Sequence, residues 1–225
     1  MAPIPPPRVV MFECYSTLID SRAGWRALFD PMLAGKGAAV DADEFYGEFH
    51  RFRQADLTGP FRPFADILRR SLARALEARG LPYAAADGEA AVAAVGGFRP
   101  FPEVVPALRR LQGRFRLGIL SNIDGAMMAE TLRTLEVPFD HLVLSHRVGV
   151  YKPDPAIFAA AQQELGCAPA DILHVAAGLW SDLRPARAMG WRRVWIDRRG
   201  EPDDPQAQPY HRLPDLAGLP ELLGV

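Results

Sequence analysis

Short runs that are apolar at almost every position and stop abruptly at a chemically capable residue constrain this chain most. Val9-Val10-Met11-Phe12 stops at Glu13, and Leu117-Gly118-Ile119-Leu120 stops at Ser121-Asn122. A third run covers residues 141–145 and a fourth covers residues 172–177. A strand buried on both faces needs apolar residues at successive positions, and such strands belong to parallel sheets covered by helices. Helix-like stretches lie between them. One runs from Gly125 to Leu135, another covers residues 156–165, and a third begins at or just after Asp182 and continues through Met189. The second is opened by Pro153-Asp154-Pro155, as prolines open a first turn. The pattern predicts an α/β fold with a parallel sheet, whose functional groups gather at the carboxyl ends of the strands.

Glu13 is expected at that edge. Alternation along the strand puts Glu13 and Tyr15 on one side and Cys14 on the other. Ser16, Thr17 and Asp20 follow, residues that hydrogen-bond nearby backbone and shape a tight turn. The turn after Leu120 offers backbone N–H groups and hydroxyls to an anion. Taken singly, each signal has a plain reading: Glu13 as a turn residue, Ser121 as a helix cap, Lys152 as a solvated charge, Asp182 as an N-cap. Their order and spacing along one chain support one another.

In that order the segments resemble the haloacid dehalogenase superfamily, and more closely its type II branch, the L-2-haloacid dehalogenases, over nearly the whole chain. The resemblance implies a Rossmann-like core with an inserted helical cap. The family's first motif carries an aspartate nucleophile, where this chain has Glu13. Two residues later phosphatases carry a second aspartate and dehalogenases a tyrosine; here the residue is Tyr15. Ser121-Asn122 and Lys152 match the second and third motifs. The fourth is His174-Val175-Ala176-Ala177-Gly178-Leu179-Trp180-Ser181-Asp182, with Gly178 where phosphatases carry a further acid. Magnesium takes a near-octahedral shell of oxygens, and only Glu13 and Asp182 remain to supply carboxylates. A metal-dependent phosphatase is therefore disfavoured, and neither a metal nor another cofactor is expected.

The family chemistry assigns roles by position. Glu13 attacks the carbon bearing the halogen and forms an ester that water hydrolyses. Lys152 holds and neutralises Glu13, while Asp182 pairs with Lys152 and orients or activates the water. Ser121 and Asn122, with backbone N–H groups near Tyr15 and Ser16, bind the carboxylate of a small-molecule acid. Arg51 or Arg53 is expected to cradle the departing halide, and Phe61, Phe64 and Trp180 to line the pocket. Several positions depart from the pattern. The extra carbon–carbon bond in Glu13 moves the carboxylate by roughly 1.5 Å, and a misplacement of about 1 Å can cost on the order of a hundredfold in rate. Ser16 replaces a glycine usual in this turn, and Ala176, Ala177 and Gly178 leave the fourth motif short of polar side chains. Two alternatives therefore stay open: a divergent homologue that binds ligand or catalyses a different displacement or cyclisation, and a magnesium-dependent phosphatase.

The rest of the chain sets the domain plan. Residues 8–19 and 100–225 form the expected core, residues 20–99 the cap, and residues 1–7 a disordered proline-rich tail. The insertion has helical apolar spacing at Trp25, Leu28, Phe29 and Met32, at Phe45, Phe49 and Phe52, at Ile67, Leu68, Leu72, Ala75 and Leu76, and from residue 90 to 95. Residues 198–210 read as a surface loop and residues 216–223 as a last short helix. A hydrophobic fraction of 49% suffices for a core, and a net charge of -1 gives no electrostatic reason to expect nucleic acid or an anionic membrane. No apolar run is long enough to span a bilayer. Two distant cysteines, Cys14 and Cys167, indicate a reduced, cytoplasmic setting. The resemblance also implies a homodimer.

Overall fold

A computed structural model describes residues 4–225. The chain divides into two compact units. The first takes the segments through Ile19, Pro100–Asn122 and Leu135–Val225; the second takes Asp20–Arg99 and Ile123–Thr134.

In the first unit the strands are β1 (Val9–Phe12), β2 (Arg116–Ser121), β3 (His141–Leu144), β4 (Ile172–Ala176), β5 (Arg192–Ile196) and β6 (His211–Leu213). They form one sheet in the order β3-β2-β1-β4-β5-β6, with every neighbouring pair parallel. The apolar runs thus become strands as expected, and the four residues of β1 are fully buried at its centre. The first unit also holds α5 (Val104–Leu111), α7 (Ser145–Val148), α8 (Pro155–Leu165), α9 (Arg184–Ala188) and α10 (Leu219–Leu222). Val9 and Met11 pack with Leu120, Val143, Ile157, Phe158 and Trp191 in one buried cluster. Met11 lies in register with Gly118 of β2. A Cβ on that glycine would stand 2.2 Å from the methionine sulfur, which explains a glycine inside an apolar strand.

The second unit is built from α1 (Ser21–Gly35), α2 (Ala42–Leu57), α3 (Phe64–Ala78), α4 (Ala85–Val95) and most of α6 (Gly125–Leu135). Asp20 caps α1 by accepting from the Ala23 N–H at 3.0 Å, and Asp41 caps α2. α3 starts after Pro63, which has no side chain to cap it. Asp124 supplies the cap instead, accepting from the N–H groups of Phe64 at 3.0 Å and Ala65 at 2.8 Å. Those bonds account for residues 123–134 joining this unit, where the sequence pattern predicts them with the sheet. The core is aromatic: Trp25 lies 5.4 Å from Phe29, 4.8 Å from Phe49 and 5.1 Å from Phe98, ring centre to ring centre.

Two expectations are corrected. Met1–Pro3 lie outside the described residues, but the remainder of the expected disordered tail is ordered: the Ile4 N–H donates to the Leu222 carbonyl at 2.9 Å, and Pro7 is buried. The loop at 198–210 is irregular but only partly a surface loop, because Ala207 is buried beside Trp195 and Leu183. Among the described residues no helix is long and apolar enough to cross a membrane.

The second unit's packing depends on a missing methyl group. A Cβ on Gly24 would fall 2.2 to 2.7 Å from three atoms of the Phe98 ring, a rigid neighbour. Gly24→Ala is expected to lower stability by about 1–3 kcal/mol through overpacking, read as a shift in the urea midpoint; an unchanged midpoint would contradict it.

Candidate active site

The strand order turns between β1 and β4: from β1 the chain builds outward through β2 to β3, and from β4 outward through β5 to β6. Such a switch point opens a crevice at the carboxyl ends of the strands, where ligands bind in open parallel sheets. Glu13 follows β1 and its N–H donates to Val175 of β4 at 3.0 Å. Asn122 follows β2, Lys152 comes after β3 and α7, and Asp182 comes after β4. The topology alone thus gathers the residues singled out in four separate motifs.

Lys152 is at their centre. Its side chain is 1% exposed, and its Nζ donates to Asp182 Oδ1 at 2.6 Å, to the Leu120 carbonyl at 3.1 Å and to Glu13 Oε1 at 3.4 Å. Three protons on the ammonium meet three acceptors, which makes its burial tolerable. Asn122 brackets the lysine backbone: its Oδ1 accepts from the Lys152 N–H at 2.8 Å and its Nδ2 donates to the Lys152 carbonyl at 3.0 Å. Asp182 is fully buried and receives a second contact on Oδ1 from His174 Nε2 at 3.0 Å, while Ser181 Oγ donates to Oδ2 at 2.6 Å. Thr17 is buried next to Glu13. Its Oγ1 accepts from the Ala177 N–H at 2.8 Å, which directs its own proton to Glu13 Oε2 at 3.2 Å.

These contacts sort the charges. Burial and the nearby Asp182 carboxylate raise the Glu13 pKa to about 7, against the opposing pull of Lys152 and Thr17. For Asp182, burial works upward, but Lys152 and the His174 hydrogen bond outweigh it and hold the carboxyl below its usual range. Burial works against the Lys152 ammonium, but Asp182 and Glu13 outweigh it and leave the lysine more basic than usual. Burial lowers the pKa of His174 and so favours its neutral form. One carboxylate is tied to the lysine, and the other, with a side chain 17% exposed, titrates near neutrality.

The structure brings Glu13, Lys152 and Asp182 together, with Ser121 buried at the end of β2. Asn122, expected to bind a substrate carboxylate, has each end of its amide bonded to the Lys152 backbone, with one Nδ2 proton left over. Ser16 is corrected: its N–H donates to the Ile19 carbonyl at 2.8 Å and is committed to the turn, not offered to an anion. Its φ of 72° is the left-handed conformation that glycine adopts without penalty. Tyr15 is bridged to Ile19 within that turn. Trp180, expected to line the pocket, is 47% exposed. Arg51, Arg53 and Phe64 belong to the second unit. There Arg51 is exposed with its guanidinium 5.1 Å from the Phe52 ring, Arg53 lies 5.5 Å from the Phe49 ring with its Nε enclosed and unpartnered, and Phe64 is buried at the start of α3.

Thr17, His174 and Ser181 were not singled out as site residues. Thr17 reads from sequence as a turn former, Ser181 only as one residue of the fourth motif, and His174 as part of an apolar run. Asp182 has both oxygens occupied by hydrogen-bond donors, Glu13 is shared between Lys152 and Thr17, and among the described residues no three His, Cys, Asp or Glu side chains converge as metal ligands.

A family profile described as haloacid dehalogenase-like hydrolase matches residues 7–190. The chain is 28% identical over 228 residues to (S)-2-haloacid dehalogenase 1 of Pseudomonas sp. (strain CBS-3), covering 97% of each. It is 34% identical over 250 residues to the phosphoserine phosphatase of Thermus thermophilus, covering 93% of this chain and 96% of that one. Among solved structures, the L-2-haloacid dehalogenase RSc1362 matches with a TM-score of 0.84 at 26% identity, covering 98% of this chain and all of the other.

Lys152→Met removes the charge that Asp182 is buried against. Breaking one partner of a buried pair costs about 3–5 kcal/mol, so the urea midpoint at neutral pH is expected to fall strongly. The loss should shrink as the solution is acidified and Asp182 takes up a proton; a variant as stable as the wild type at neutral pH would contradict the pairing.

Proposed function

Since the chain belongs to the haloacid dehalogenase-like hydrolases, we propose that it hydrolyses a small 2-haloalkanoic acid, without metal, through an ester on Glu13. The observation that carries this reading is the setting of Glu13: one oxygen faces the Lys152 ammonium, the other the Thr17 hydroxyl, and Tyr15 stands where a phosphatase would place its second acid. A carboxylate with a pKa near 7 is a better nucleophile than an ordinary one and still ionises at physiological pH. In the first step a Glu13 oxygen bonds to C2 of the substrate, and the halide leaves with the electron pair of the broken bond. In the second, water attacks the ester's acyl carbon, releases the 2-hydroxy acid and restores Glu13. Lys152 neutralises Glu13 before attack and again as the carboxylate is restored, and Asp182 holds Lys152 and orients the water.

The similarity to a phosphoserine phosphatase supports a second reading, a magnesium-dependent phosphatase. Against it stand Tyr15 and the occupied carboxylate oxygens of Asp182.

The test is halide release from 2-chloro-, 2-bromo- and 2-fluorocarboxylates with EDTA present. Wild-type protein is expected to release halide and Glu13→Gln to fall to the uncatalysed rate, since the amide keeps the size of the side chain but not its nucleophile. Phosphate release from a monoester that appears only with added magnesium, with no halide from any acid, would replace this reading with the second. The pH profile gives an independent check. Below about pH 7 Glu13 is protonated and cannot attack, so kcat/KM is expected to rise with pH through about 7 and then level off. A profile flat across that range would remove Glu13 as the attacking group.

A further inference from the structure

Gly178 and the turn behind it form a second arrangement that the attack by Glu13 does not use. Gly178 precedes a π-helical turn, Leu179–Leu183, in which the Leu183 N–H reaches back to the Gly178 carbonyl at 3.1 Å. A π-turn holds an extra residue relative to an α-turn, and such turns concentrate at functional sites. Here it places Ser181 and Asp182 so that the serine hydroxyl donates to Asp182 Oδ2 at 2.6 Å. A Cβ on Gly178 would stand 2.5 Å from that hydroxyl oxygen, 2.7 Å from Asp182 Oδ2 and 3.5 Å from Glu13 Oε2. Oxygens from three side chains therefore converge on the face that only glycine leaves open.

We infer that Gly178 and Ser181 together position Asp182 for the hydrolytic half-reaction: Gly178 provides the space, and Ser181 fixes Oδ2 and helps hold the water that attacks the Glu13 ester. This inference rests on Glu13 being the nucleophile. Asp182 Oδ1 takes two contacts, from Lys152 and His174, whereas Oδ2 takes only the Ser181 hydroxyl and keeps one lone pair for a water. The Ser181 proton is committed to Oδ2, so the lone pairs of Oγ face outward as acceptors. The water oxygen bonds to the acyl carbon, and the ester carbon–oxygen bond breaks with its electrons on the departing alkoxide. One water proton passes through Asp182 Oδ2 to that alkoxide, and the other is lost to solvent as Glu13 returns to its carboxylate. Ser181 is a positioning residue, because it acts on the reaction through Asp182 and the water.

The experiment compares wild type, Ser181→Ala, Gly178→Ala and Gly178→Ala/Ser181→Gly as full-length proteins. It reads rapid-quench halide release, intact mass during turnover and thermal midpoint, with the 2-haloacid that the wild type turns over fastest. Ser181→Ala is expected to give a stoichiometric halide burst at the wild-type rate, followed by steady turnover slowed by up to about a hundredfold. The ester adduct should then be visible by mass, whereas the wild type shows none. Gly178→Ala should trap the same adduct and lower the midpoint, and adding Ser181→Gly should recover part of that midpoint by removing the nearest contact. Wild-type turnover in Ser181→Ala, or equal slowing of burst and steady state with no adduct, would overturn the positioning role. A Gly178→Ala midpoint equal to wild type would overturn the packing argument beneath it. Halide silence from the wild type would instead overturn the haloacid reading, and the hydrolytic role with it.

Discussion

The buried ammonium of Lys152 is the constraint on which the carboxyl edge of this sheet depends. Moving such an ion out of water carries a penalty of several kcal/mol even after the protein relaxes, and only close, well-directed acceptors offset it. Asp182, the Leu120 carbonyl and Glu13 provide them. Asn122 then fixes the lysine's backbone on both sides of the residue. The acceptors are unequal. Asp182 lies at 2.6 Å and Glu13 at 3.4 Å, so the lysine's charge is largely balanced by Asp182 before Glu13 is counted. With His174 held neutral by burial, Glu13 is the surplus acid, and its own burial, with the Asp182 charge added, raises its pKa.

The sheet makes this arrangement inexpensive in chain length. β1 and β4 are neighbours although residues 13–171 separate their ends, so the residues just past each strand meet without a dedicated loop. Full burial of β1 fixes where Glu13 emerges, and the Glu13 N–H bond to Val175 ties that point to the strand leading to Gly178 and Asp182. Thr17 adds a bond from the same short turn to Ala177, joining the first and fourth motifs a second time. Packing and hydrogen bonding therefore define the position of Glu13 from its backbone outward.

Much of this was legible in the sequence, for reasons that also mark where reading stopped. Unbroken apolar runs can satisfy both faces of a strand only in a covered parallel sheet, so β1, β2, β3 and β4 were foreseeable. So was the convergence of Glu13, Lys152 and Asp182, because each lies just beyond a strand. Which hydrogen bond a polar side chain makes was not legible. Asn122 reads as an anion binder and fixes a lysine's backbone; the Ser16 N–H reads as available and closes a turn; Thr17 reads as a turn former and contacts Glu13, and Ser181 reads only as part of the fourth motif and contacts Asp182. In each case the partner comes from another strand's loop or from a turn whose course the sequence does not spell out, and no local pattern encodes it. Asp124 is the same kind of case at the level of a unit, since its carboxylate caps α3 and draws a segment after β2 into the helical unit.

The glutamate at position 13 becomes intelligible through these partners, not through its length alone. An extra methylene carries the carboxylate outward by about the length of one carbon–carbon bond, and a surrounding built for a shorter acid would leave it crowded or unpaired. Here neither holds: each oxygen has a partner, and even a Cβ on Gly178 would stand 3.5 Å from Oε2, an ordinary contact. Ser16 shows the opposite balance. It adopts a left-handed φ of 72° in the loop that carries Glu13, a conformation that costs a non-glycine residue on the order of 1–3 kcal/mol. The surroundings over-determine that turn through the Leu18 and Ile19 N–H bonds to Cys14 and the Thr17 bond to Ala177. The strain at Ser16 is thus held by the bonds of its own turn, while each carboxylate oxygen of Glu13 and Asp182 has a partner and the glycine at 178 answers to Ser181 and Asp182.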